Sequence, residues 1–179
     1  YELARRALKP GGIVSQWIPL HNQGEIHIYE NFHTFLEVFP YAMAWYPVPE
    51  ELILIGSNHP IDINFNQIEQ RYKNPVISKI MRDIELPNTY SFLENIWFLK
   101  KELNRLSSGQ RIISDNNPTI EFFLKEMKES GGLLNAGSGI ILESRSSFED
   151  TFEEIANSSY LLSKAQRITL KKHWDSRLN

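Results

Sequence analysis

Tyr41-Ala-Met-Ala-Trp-Tyr-Pro-Val-Pro-Glu-Glu-Leu-Ile-Leu-Ile55 is the stretch on which the fold turns. Its two apolar runs, Tyr41 to Tyr46 and Glu51 to Ile55, are separated only by Pro47-Val-Pro-Glu50. So short a link cannot make a parallel crossover, which needs about a dozen residues or more. The two runs therefore form an antiparallel hairpin. Side chains alternate along a strand, so of Trp45 and Tyr46 one belongs to the core and the other lines a surface.

Upstream, apolar residues recur at three- and four-residue steps through Ile28/Tyr29, Phe32, Leu36 and Phe39. This spacing predicts a helix from about Gly24 to Phe39, with that stripe packed on a sheet and Pro40 as its end. Before it lies a loop with Pro19, His21 and Asn22. Ile13 to Ile18 is a short, mostly apolar run, as expected of a central strand covered on both faces. Residues 1–8 are helical in character, with Leu3, Ala4, Ala7 and Leu8 at the spacing of a buried stripe. Lys9-Pro-Gly-Gly12 stops that helix, because Gly supplies a left-handed closing residue and Pro cannot continue the turn. With no initiator Met and a start inside a helix, the chain is expected to be the back half of a parallel α/β domain whose front half lies upstream.

Helix, strand, helix and terminal hairpin match, by analogy, the tail of a class I methyltransferase-type Rossmann fold. The expected fold class is therefore α/β. Residues 1–58 would be the C-terminal half of a Rossmann-like sheet ending in an antiparallel hairpin, and 59–179 a mainly helical extension. In that extension Asp62 to Tyr72 looks helical, with Ile63, Ile68 and Tyr72 as packing residues. Asn74-Pro75 interrupts it, and Val76, Ile77, Ile80 and Ile84 resume helical spacing. Ser91 with Glu94 has the pattern of a capping box, opening a helix that carries Phe92, Ile96, Leu99 and Leu103. Ser107-Ser-Gly109 ends that helix. Gly131 to Gly139 is expected to be a mobile loop, and 147–178 one or two helices.

Net charge of −3 and a pI near 6.0 argue against a general nucleic-acid binder, which presents a net basic face. No apolar run approaches the roughly 20 residues that span a bilayer. The absence of cysteine excludes disulfides, thiolate zinc sites and a Cys nucleophile. It fits a cytoplasmic setting, or the cytoplasmic domain of a membrane protein.

The run Leu8-Lys-Pro-Gly-Gly-Ile-Val-Ser-Gln-Trp-Ile-Pro-Leu-His21 resembles the spermidine synthase-like (polyamine aminopropyltransferase) family, especially a divergent bacterial branch often fused to membrane segments. Thr34-Phe35, Val38-Phe39-Pro40 and Leu52-Ile-Leu-Ile-Gly-Ser57 extend the likeness. So does Ser114-Asp-Asn-Asn-Pro118 with Ile120-Glu121-Phe122, where Asn116 replaces the second Asp of the family motif. The resemblance implies transfer of an aminopropyl group from decarboxylated S-adenosylmethionine to an amine. It also implies that the cofactor loop and principal catalytic Asp lie upstream, leaving this chain inactive alone. Two other readings stand beside it: a non-catalytic Rossmann-like assembly module, and a small-molecule S-adenosylmethionine-dependent methyltransferase.

Gln16 and Trp17 would sit at the carboxyl end of a parallel strand, where open α/β sheets bind ligands. Gln16 could hydrogen-bond an amine, and Trp17 could offer a cation–π wall. His21 could reach the same crevice, and Asp115 could supply a carboxylate to a polyamine. The plainer alternatives are a core Trp17, a loop-satisfying Gln16, a solvated His21 and an Asp115 that caps a turn. His27 and His33 do not share a helical face, so no metal site is expected from them. The expected partners are a small-molecule amine and a second copy in a homodimer, with no nucleic acid.

Overall fold

The computed structural model describes residues 1–21, 23–116, 118, 136–145, 147–156 and 162–177. The chain divides into two compact units, residues 1–61 with 97–145, and residues 62–96 with 146–179.

The first unit is built on a four-stranded sheet of β1 (Ile13–Pro19), β2 (Tyr41–Val48), β3 (Glu51–Ser57) and β4 (Ile96–Leu99), in the order β1-β3-β2-β4. β2 and β3 form the expected hairpin, with Tyr41 opposite Ser57 and Trp45 opposite Ile53. A shift in register between Trp45 and Val48 takes up Pro47, and Pro49 falls in the turn beyond it. β1 then pairs antiparallel with β3, from Ile13 opposite Ser57 to Pro19 opposite Glu51. Trp97 packs its ring on Tyr46, and Lys100 donates to the Pro40 carbonyl at 2.7 Å. The end of β4 therefore lies at the start of β2, and this pair is antiparallel too.

The expected parallel, Rossmann-like sheet is thus overturned, and with it the methyltransferase-type assignment. β1 and β2 do run in the same direction, joined through α2 (Glu25–Val38), but β3 occupies the place between them. No neighbouring strands among the described residues are parallel. β1 is also not central. It lies at the edge of the sheet, and its burial alternates instead of being continuous.

α2 covers one face of the sheet with Ile28, Phe32, Phe35 and Phe39, none of which is exposed to solvent. They join Ile18, Leu20, Ala42, Ala44, Tyr46, Leu52 and Leu54 in one cluster, closed by Trp97, Phe98 and Leu103. Gly56 of β3 is required for this contact. A Cβ there would stand 2.6 Å from the Phe39 ring and 2.7 Å from that of Phe35. Tyr46 is the inward residue of its pair and Trp45 is partly exposed.

Helix α1 (Glu2–Ala7) forms, but none of its residues is buried and Leu3 is exposed, so the expected buried stripe is absent. The chain leaves it extended at Leu8. Pro10 and Gly11 then occupy the middle of a turn closed by the Gly12 amide donating to Lys9 O at 2.8 Å. Gly11 takes φ +73°, so the glycine serves a β-turn and not a left-handed helix closure.

The second unit holds α3 (Phe65–Tyr72), α4 (Pro75–Asp83) and α5 (Thr89–Leu93). Asn74 caps α4 through Val76 and Ile77, with Pro75 in the first turn. The capping box belongs to Asn88 with Ser91, three residues before the expected start. The long helix expected from Ser91 does not form: α5 stops at Leu93, β4 follows, and α6 (Lys100–Ser107) completes the stretch. Ile96 to Leu99 are buried on every side, and such a run satisfies helical and strand spacing equally. Further along come α7 (Ala136–Glu143), whose start lies inside the expected loop, α8 (Phe148–Ala156) and α9 (Lys164–Ser176). Phe148, Phe152 and Trp174 form an aromatic cluster between α8 and α9. Residues 119–124, the end of the family-like motif, lie outside the described residues, as do 131–135 of the expected loop. No helix among the described residues is long and apolar enough to cross a membrane.

Candidate functional site

Backbone groups alternate sides along a strand, so half of those in an edge strand face away from the sheet. In β1 the alternation can be placed. The Leu20 amide donates to Glu50 O at 2.7 Å, in register with the β1–β3 ladder. The amides and carbonyls of Ile18, Gln16 and Val14 therefore also point at β3. Those of Ile13, Ser15 and Trp17 point outward. Two side-chain features agree. Gln16 Nε2 donates to Trp17 O at 2.8 Å, reaching round the edge to an outward carbonyl. Pro19 falls on the outward set, where its missing N–H costs no ladder bond.

The face of the sheet away from α2 carries Ile13, Ser15 and Trp17 of β1, in line with Ile55 and Ile53 of β3. Ile13 is 55% exposed and Trp17 51%. These are large apolar side chains beside a row of outward hydrogen-bonding groups that no strand among the described residues pairs with. Uncharged residues alone fill 13–18. Natural edges are usually blunted by charge, a bulge or proline; β1 has only Pro19, at its last position.

Gln16 and Trp17 thus sit at the sheet edge, and not at the carboxyl end of a parallel strand as expected. His21 follows in an exposed turn, and Asp115 occupies an exposed turn elsewhere in the same unit. None of the four lines either of the two clefts beside α1 and α2. These clefts, about 550 and 570 Å³, share Glu2, Glu37 and Val38. The cleft of about 550 Å³ is bounded by a segment fixed to α2 through Arg111 Nε on the buried carboxylate of Glu30 at 3.0 Å. The Ile113 amide adds a bond to Thr34 Oγ1 at 2.9 Å. Burial pushes the Tyr1 hydroxyl above its ordinary range.

A second cluster, unseen in the sequence, lies in the other unit. Glu94 receives His173 Nδ1 at 3.2 Å and Arg177 Nη1 at 3.6 Å, and the His173 ring stacks on Tyr90 at 5.6 Å. Burial pushes the Glu94 carboxyl up, against the opposite pull of His173 and Arg177. His173 and Arg177 thus hold this carboxylate, and Lys171 holds Glu149 at 3.0 Å. The arrangement clamps α9 on α5. Among the described residues no group of three or more His, Cys, Asp or Glu could hold a metal ion.

No family model, curated protein or solved structure matches the chain. The resemblance to spermidine synthase-like enzymes is therefore not supported. Aminopropyl transfer, methyl transfer and a Rossmann-like assembly module all required a parallel sheet, and they fall with it.

Proposed function

We propose that this chain is a protein-binding domain that works by strand addition, taking an extended segment of a partner along the open edge of β1. Main-chain bonds would supply affinity, and alternate side chains of the guest would supply specificity. The observation that carries this reading is the outward row of Ile13, Ser15 and Trp17 backbone groups, flanked by exposed Ile13 and Trp17 side chains. Gln16 and Trp17 keep a binding role in it, with a different ligand. Trp17 offers its ring to a cross-strand neighbour, and Gln16 occupies Trp17 O until a guest strand displaces it.

The test is residue-resolved amide exchange with a synthetic peptide of residues 11–19 as the guest. The amides of Ser15 and Trp17 should exchange fast in the dilute chain and slow when the peptide is added. The inward amides of Gln16 and Ile18 should be slow in both. Outward amides that exchange equally fast with saturating peptide would sink the proposal.

A further inference from the structure

We infer that the natural occupant of the β1 edge is the β1 edge of a second copy of this chain, paired antiparallel about Ser15. This inference rests on the strand-addition reading above.

The argument begins with register. An antiparallel two-fold pairing joins residues whose numbers have a constant sum, and hydrogen-bonded partners must both face outward. Only Ile13, Ser15 and Trp17 of β1 offer an outward amide together with an outward carbonyl. Placing Ser15 opposite Ser15 of the second copy sets Ile13 opposite its Trp17, and Trp17 opposite its Ile13. All three outward positions are used, giving about six main-chain bonds at two per facing pair. Sliding by two residues in one direction sets Ile13 against Pro19, which has no amide to give. Sliding in the other sets Trp17 against Gly11, inside the turn that opens β1. Only the centred register bonds every facing pair in both directions.

Side chains favour the same register. Facing residues share a face of the sheet, so each Ile13 lies beside a Trp17 of the other copy on the exposed side. Aromatic and β-branched residues are a favourable cross-strand combination. The small Ser15 pair at the centre leaves both tryptophans room.

Charge complementarity points the same way. Exposed Lys9 precedes β1, whereas exposed Glu51 stands opposite Pro19 at its far end. An antiparallel two-fold sets each basic end against an acidic end. A parallel pairing would set like against like. The strand itself is uncharged, so nothing within 13–18 repels a copy of itself.

The chain's sedimentation mass should rise with concentration from 20.9 kDa toward twice that value. Ser15→Pro removes a central outward amide, leaves the β1–β3 ladder its bonds, and should hold the mass at one chain with an unchanged circular dichroism spectrum. Because the chain has no cysteine, Ser15→Cys should crosslink to a dimer under mild oxidation. Ile13→Cys, which faces Trp17 of the other copy, should not. A wild-type chain that stays single at every concentration overturns self-pairing, as does a Ser15→Pro chain that still dimerises. If the 11–19 peptide still slows the Ser15 and Trp17 amides, strand addition survives with another partner. If it does not, both readings fall together.

Discussion

α2 and α4 look alike in sequence and meet opposite fates. Each carries large apolar residues at three- and four-residue steps. In α2 they are sealed against the sheet, with Ile28, Phe32 and Phe35 wholly buried. In α4 no residue is buried, and Val76 and Ile80 remain more than half exposed. Periodicity therefore specifies a helix and its apolar face, but not whether anything covers that face. Cover depends on what lies opposite, and for α2 that is three strands whose inward residues, Ile18, Ala42, Ala44, Tyr46, Leu52 and Leu54 among them, are mostly small or apolar.

The contrast breaks most sharply at Phe32. Phe32→Ala should cost about 3–5 kcal/mol in chemical denaturation, because a fully packed ring leaves a cavity. A loss below 1 kcal/mol would mean that α2 is no better anchored than α4. On the α4 side the largest effect is expected at its cap. Asn74→Ala frees the amides of Val76 and Ile77 and should cost about 1 kcal/mol.

The second unit can be probed through pH as well. Burial raises the Glu94 carboxyl above its ordinary value of 4.5, so the folded state holds that proton more tightly than the unfolded chain does. Its contribution to stability is greatest below 4.5 and declines as pH rises toward the raised value. Glu94→Gln should flatten that part of the stability profile. An unchanged slope in thermal unfolding across this window would show that the clamp does not titrate. The smallest effect belongs to Ile80→Lys, within about 0.5 kcal/mol of wild type, as expected for an exposed position. A loss above 2 kcal/mol would show that the α4 face is covered after all.

What the sequence revealed follows the same division. α2 and the β2–β3 hairpin were legible because their signals are local: an aromatic stripe in one case, a link too short to cross over in the other. The place of β1 was not legible from its apolar run, because it depends on β3 inserting between β1 and β2. Pro19 was the available signal, since proline in a strand marks an edge. β4 was hidden in Ile96-Trp-Phe-Leu99, which fits a helix as well as a strand and was absorbed into a helix that does not exist. At the candidate site, Gln16 and Trp17 were singled out for an enzyme's reasons and gain their interest from main-chain geometry. The Glu94 cluster gave no warning, because its partners lie far along the chain and no spacing rule joins them.

Gly56 acts as a gauge block. The single hydrogen in place of a side chain sets how closely the Phe35 and Phe39 rings may rest on β3, and hence how far α2 stands from the sheet. The same helix holds Arg111 through Glu30 and Ile113 through Thr34 on its other side. Any residue larger than glycine would bring a Cβ within 2.6–2.8 Å of those rings, so they must leave their seat on β3. The spacing between helix and sheet is thus written by an atom that is missing.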